Sequence, residues 1–94
     1  SPSKSLKLVD DIPLAIANTD LDYSIISWDG RQAYPHAHKH YILTQDGNPL
    51  EAAANLFEFM HQADQDASEL ILAERVPDSG LGRAINDRLK RASL

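Results

Sequence analysis

Apolar positions along the chain fall into two rhythms, and the changes from one to the other mark the elements. Leu6, Leu8 and Val9 form a short run that predicts a first strand over Lys4–Val9. Asp10 and Asp11 follow as N-cap candidates with Pro13 in the first helical turn. Leu14, Ala15, Ile16 and Ala17 then read as a short helix ending near Asn18. Tyr23–Trp28 is β-branched and aromatic, which predicts a second strand, and Asp29-Gly30 supplies the turn that ends it. Residues 31–38 contain Pro35 and no helical period, so they read as loop. A third strand is centred on His40–Thr44 and closes at Asp46-Gly47.

The next helix is the best-signalled element. Asn48 is placed to cap, Pro49 suits the first helical position, and Glu51 completes an Asn-x-x-Glu capping box. Ala53, Leu56, Phe57, Met60 and Ala63 recur at three- and four-residue spacing, which predicts one core-facing stripe on a helix from Pro49 to about Gln65. Leu70–Ala73 is a compact apolar run, read as a buried strand, and residues 76–80 break it. A last helix runs from Leu81 to about Ala92, with Leu81, Ile85 and Leu89 expected on one buried face. The order is strand, helix, strand, loop, strand, helix, strand, helix. Such alternation predicts an α/β layered domain with about four mainly parallel strands and three helices, joined by right-handed crossovers. Residues 1–5 read as a linker or cloning remnant and residues 6–94 as a single domain.

Size and charge narrow what such a domain does. The chain has 94 residues, and a domain of that size buries only about 60–65% of the surface its unfolded form exposes. That supports one modest core and leaves little room for a deep cavity. With 43% hydrophobic and 24% charged residues the composition is that of an ordinary globular protein. No apolar run approaches the ~18 residues that would span a bilayer. Cysteine is absent, which excludes thiol nucleophiles and Cys-based zinc sites and points to a reducing, cytoplasmic setting. A net charge of −5 argues against a dedicated nucleic-acid surface. The charge is nonetheless uneven. Arg83, Arg88, Lys90 and Arg91 against Asp87 give the last twelve residues a net of +3 and the rest −8. Two readings stay open: cations that complement a helix dipole, or a docking face for RNA or an acidic partner domain.

Several residues are candidates for chemistry. Ser79, Gly80, Gly82 and Arg83 form a turn that opens a helix directly after a strand, where free backbone N–H groups and an arginine fork would receive an anion. A tight turn and helix cap require the same residues, and the segment is neither a Walker A motif nor a three-glycine dinucleotide fingerprint. A free-standing nucleotide- or anion-binding sensor built on Ser79–Arg83 is therefore a second functional reading. His36, His38 and His40 alternate and would share a strand face as imidazole ligands. Pro35 precedes them, however, and no carboxylate is fixed beside them by spacing, so no metal site is assigned. Ser27, His40 and Asp46 can be written as a hydrolytic triad, but no Gly-x-Ser-x-Gly turn supports it, and no catalytic residue is assigned. Tyr23 and Trp28 read as core or rim packing, because a base-stacking platform needs interleaved basic residues. Asp87 and Arg91 stand four apart on the last helix and can pair.

Two stretches carry a family resemblance: NPLEAAANLFEFMHQAD at residues 48–64 and ELILAERVPDSGLGRAINDRLKRA at residues 69–92. Together they resemble the end of long-form threonylcarbamoyladenylate synthases. In that family a helix of the form AAxNLFxxLRxxD precedes a strand IxAE and then P(D/E)xGLGxAIxDRLxRA. The opening SPSKSLKLV is similar to the segment after that family's interdomain linker, and Met60-His61 stands where the pattern has Leu-Arg. The resemblance implies a small Rossmann-like C-terminal accessory domain. Its parent enzyme makes threonylcarbamoyl-AMP from ATP, L-threonine and bicarbonate, for threonylcarbamoyladenosine in tRNA. It further implies that ATP is a substrate of the parent and that this domain has no cofactor of its own. The expected partner is the N-terminal catalytic domain of the same polypeptide, with Asp87 and Arg88 as candidate contacts. Neither direct nucleic-acid contact nor a membrane is expected.

Overall fold

Local chemistry starts and stops each element of the computed structural model, which describes residues 3–93. The linker assignment at Ser1 and Pro2 and the domain's last position, Leu94, lie outside the described residues. The chain runs β1 (Ser5–Val9), α1 (Ile12–Ala17), β2 (Tyr23–Ser27), β3 (His40–Ile42), α2 (Pro49–Gln65), β4 (Leu70–Glu74) and α3 (Leu81–Ala92). The Asp11 carboxylate caps α1 by accepting the Leu14 N–H at 3.0 Å, which satisfies one of the helix's orphan donors. Asn48 caps α2 in the same way, its Oδ1 accepting from Leu50 at 2.9 Å and from Glu51 at 3.4 Å. The return arm expected of Glu51 goes elsewhere. Glu51 accepts from the Thr44 hydroxyl at 2.5 Å and the Gln45 N–H at 3.2 Å, while the Asn48 N–H donates to Thr44 Oγ1 at 2.9 Å. Thr44 thus stands inside the capping box and binds the end of the third strand to the helix.

Among the described residues the four strands are all parallel, in the order β1-β4-β2-β3. Val9 is level with Glu74 and Ser27 with Ile42, and these residues form the C-terminal edge of the sheet. The third strand is shorter than the His40–Thr44 expected. Leu43 and Thr44 still donate to the Ser27 and Trp28 carbonyls at 2.9 and 3.0 Å, so the pairing outlasts the regular strand.

The two sheet faces are covered unequally. One packs Ile12 of α1 with Ile25, Leu70 and Leu72, joined by Tyr23, Tyr34 and Ala37. The other carries α2 and α3 and holds most of the core, including Ile26, Trp28, Leu43, Ile71, Leu56, Met60, Ile85 and Leu89. Trp28 and Tyr23 are therefore packing residues. Two positions expected in the core are not there: Phe57 is 71% exposed and Leu81 42%. The buried line of α2 is Ala52, Leu56, Met60 and Ala63, with Ala53 only partly covered. Phe57 sits a further ~100° round the helix from Leu56, since a turn takes 3.6 residues. In α3 the buried residues are Gly82, Ile85, Asn86, Leu89 and Ala92, which leaves Leu81 on the rim of the first turn. Among the described residues no helix is long and apolar enough to cross a membrane.

Candidate functional site

Parallel α/β sheets present ligands at the carboxyl ends of their strands, and here that edge carries a connected polar group. Glu74, the last residue of β4, accepts the Trp28 N–H at 2.8 Å and Arg31 Nη2 at 2.9 Å. Arg31 Nη1 donates to Asp29 Oδ1 at 2.7 Å. The neighbouring Glu74 charge, chiefly, raises the guanidinium pKa above its ordinary value. Tyr34 from the loop meets His40 edge-on, with ring centroids 5.1 Å apart. Burial comes first in raising the Tyr34 pKa, with Glu74 second. Burial lowers that of His40, against the pull of Glu74. On the far side, Arg75 Nε donates to Asp10 Oδ1 at 2.9 Å on an exposed rim.

Two members of the written triad do meet: Ser27 Oγ and His40 Nε2 lie 2.7 Å apart. The Ser27 hydroxyl also donates to the Asp29 carbonyl at 2.8 Å, an acceptor that competes with His40 Nε2 for its single proton. Asp46 is elsewhere, in the turn before α2, with Oδ1 3.2 Å from Thr44 Oγ1. Of the three alternating histidines, His36 and His38 are exposed in the loop and only His40 lies in a strand. Among the described residues no three His, Asp or Glu side chains converge as metal ligands.

The Ser79–Arg83 turn lies at the same edge. Gly80 has φ +55° and ψ −127°, a backbone that L side chains rarely adopt. Gly82 is needed for space, because a Cβ there would stand 1.8 Å from the Pro77 carbonyl oxygen. The N–H groups of Gly82 and Arg83 donate to the Ser79 and Gly80 carbonyls at 2.9 and 3.1 Å. The remaining donors of the turn are the N–H groups of Gly80 and Leu81, with Ser79 and Arg83 exposed beside them. Behind the turn Asn86 is buried. It accepts the Val76 N–H and donates to the Val76 carbonyl, both at 2.9 Å, and reaches Asp78 Oδ1 at 3.2 Å. One amide side chain thus fixes the strand-to-helix connection. Asp87 and Arg91 form no ion pair among the described residues. Both are exposed, where such a pair is worth only ~0.3–0.5 kcal/mol.

The opposite edge of the sheet holds a second polar group that spacing did not announce. Asp66 ends α2 and accepts from Ser24 Oγ at 2.6 Å, Tyr41 OH at 2.9 Å, Ser68 Oγ at 2.5 Å, Ser68 N–H at 2.9 Å and Lys4 Nζ at 3.0 Å. Lys4 Nζ also donates to the Asp66 and Ser68 carbonyls at 2.9 and 2.7 Å. Burial opposes ionisation of Asp66, but the bonds from Ser24, Ser68 and Lys4 outweigh it and hold the carboxyl well below its usual range. Burial, reinforced by donation to Asp66, pushes the Tyr41 phenol far up. Just outside, Ser3 Oγ and the Lys4 N–H bind Asp64 at 3.2 and 3.0 Å. The only local hint was Ser68 two residues after Asp66, the spacing of an Asx turn.

Comparison with known proteins adds independent findings. A family profile described as threonylcarbamoyl-AMP synthase, C-terminal domain, matches residues 1–93. A stretch of 43 residues, 46% of the chain, is 44% identical to the threonylcarbamoyl-AMP synthase of Pyrococcus abyssi and covers 13% of that protein. The fold superposes on the crystal structure of P. abyssi Sua5 complexed with L-threonine with a TM-score of 0.74 and 25% identity. That match covers 99% of this chain and 29% of the other. A double-alanine variant of the same protein gives 0.76 and 26%, covering 98% of this chain and 28% of that one. The C-terminal Sua5 domain from Pyrococcus horikoshii, solved by itself, gives 0.66 at 22% identity over 96% of this chain and 93% of that one. The chain therefore spans less than a third of the length of the P. abyssi proteins it matches.

Proposed function

The chain belongs to the family of threonylcarbamoyl-AMP synthase C-terminal domains, and we propose that it is the accessory, regulatory domain of such a synthase. In this reading a catalytic domain N-terminal to it in the same polypeptide joins ATP, L-threonine and bicarbonate into threonylcarbamoyl-AMP for tRNA modification in the cytoplasm. ATP is a substrate of that portion, and this domain contributes no cofactor, nucleic-acid surface or membrane contact. Its work is done by contact with the catalytic domain.

The observation that carries this reading is the family match along nearly the whole chain, joined to the state of the polar groups. Ser27's hydroxyl donates to a carbonyl, Glu74 clamps the exit of β2, and Asp66 is surrounded by donors. Each of these groups ties together segments of the fold, which supports a structural use for them. The test compares the intact synthase with a version lacking residues 3–93. Removal is expected to lower threonylcarbamoyl-AMP formation by about tenfold or more, equivalent to ~1.4 kcal/mol of barrier. The isolated domain, given ATP, threonine and bicarbonate, is expected to form none. Unchanged turnover on removal, or product from the isolated domain, overturns the reading.

A further inference from the structure

Three large apolar side chains on the helical face are left without cover: Leu50 at 69% exposure, Phe57 at 71% and Leu81 at 42%. They are not scattered. α2 leaves the C-terminal end of β3 and delivers the chain to the start of β4, while α3 begins where β4 ends. The two helices therefore run side by side in the same direction, both opposed to the strands. The Arg88 guanidinium of α3 lies 5.8 Å from the centre of the Phe57 ring of α2. Leu50 precedes Phe57 by seven residues and Leu81 precedes Arg88 by seven, a step of ~10.5 Å back along each helix. Leu50 and Leu81 thus stand at one level and Phe57 and Arg88 at the next, and the seam between the helices presents them as one stripe. Ala54 and Ala84 are exposed on the same flanks and keep it shallow. Contiguous apolar surface of this kind marks an interaction site, whereas single exposed leucines do not.

We propose that this seam, Leu50 and Phe57 of α2 with Leu81 and Arg88 of α3, is the surface on which the catalytic portion of the parent polypeptide docks. The proposal rests on the accessory reading above and names its contact face. Three observations select this occupant. The P. abyssi relatives are more than three times the length of the matched segment, and the family is the C-terminal domain, so the missing bulk precedes this segment. The preceding chain arrives beside α2, because Ser3 and Lys4 are fastened to Asp64 and Asp66 at that helix's last turn. Finally, Leu81, Arg88 and Arg91 share one side of α3 at helical spacing, so the stripe has a cationic border. A second copy placed symmetrically would set these arginines near their own equivalents. A catalytic surface that is apolar at its centre and carboxylate-rich at its rim meets no such repulsion.

The test uses the intact synthase carrying Leu50→Asp, Phe57→Asp and Leu81→Asp together, and Phe57→Asp alone. All three side chains are already exposed, so the domain's own core is untouched. Leu14→Asp, on α1 across the sheet and 60% exposed, is the control. Small-angle X-ray scattering is expected to show a larger radius of gyration for the triple variant, a smaller increase for Phe57→Asp, and no change for Leu14→Asp. Turnover of the triple variant should fall about tenfold, the scale of losing a few interface anchors. A triple variant as compact as the wild type overturns the docking surface while leaving the accessory reading to the deletion experiment. Unchanged turnover in that deletion defeats the accessory reading instead. A wild-type mass of two chains that halves in the triple variant assigns the seam to a second copy and overturns the proposal.

Discussion

The two edges of the sheet each hold a carboxylate bound by a cation, and they differ in how far water reaches the pair. At the lower edge Asp66 is 10% exposed and its partner Lys4 13%. At the upper edge Glu74 is 12% exposed, but Arg31 is 60%. The same charge pairing therefore serves two purposes. Around Asp66, hydroxyl, backbone and ammonium donors converge from β2, β3, the β4 approach and the chain's entry, so one carboxylate ties four segments. Around Glu74 the cation is a hydrated cover, and the structural bond is the one from the Trp28 backbone. Enclosure gives an ion pair its leverage, because a buried charge stripped of its partner has no solvent to replace it.

That contrast is best broken at the lower edge. Asp66→Ala leaves Lys4 enclosed without its counter-charge and is expected to cost about 3–5 kcal/mol, read from urea unfolding of the domain. The Asp66 carboxyl is depressed in the folded state. Its contribution is therefore complete above the unfolded carboxylate pKa of ~3.9 and is lost as pH falls through the lower folded value. Asp66→Asn should accordingly show a shallower acid limb than the wild type. At the upper edge, Glu74→Ala orphans the Trp28 N–H and is expected to cost about 1–3 kcal/mol. Arg31→Ala should cost at most about 1 kcal/mol, and a value equal to that of Asp66→Ala would erase the distinction. The finest difference is one of pH window. His40 is depressed by burial, so its share of stability is present above about pH 6.5 and declines as pH falls below it. A His40→Gln protein should lack that upper step and keep the lower one.

Most of the architecture was legible because it rests on local signals. Asn48-Pro49 and Asp11-Ile12-Pro13 state where helices begin, and the β-branched run at Tyr23–Ser27 states where a strand must lie. Phe57 and Leu81 were misplaced for a definite reason. Spacing identifies an apolar side of a helix, but a side wide enough to include Leu50, Leu56 and Phe57 is broader than the strip a sheet can cover. The surplus is what the docking surface consists of. The Asp66 group was illegible for a different reason. Lys4, Ser24, Tyr41 and Ser68 are unremarkable polar residues in sequence, and only the sheet order β1-β4-β2-β3 brings the first strand's approach to the end of α2. Asn86 belongs to the same class, its partner Val76 being ten residues back. Of the residues singled out at the upper edge, Ser27 and His40 do touch. The Asp29 carbonyl that shares the Ser27 hydroxyl is a backbone group, which side-chain spacing does not encode.

The placement of β4 between the first strand and the other two has a consequence for biosynthesis. Among the described residues β1 pairs with β4 alone, so the domain's first strand waits some sixty residues for its partner. Until Leu70–Glu74 emerges, β2 and β3 form at most an isolated ribbon and β1 hangs free. A translation product truncated before that point is two unconnected fragments of a sheet. Such long-range closure slows folding and exposes strand edges meanwhile, so chains interrupted before Leu70 should be protease-sensitive, with no folded shorter form of the domain.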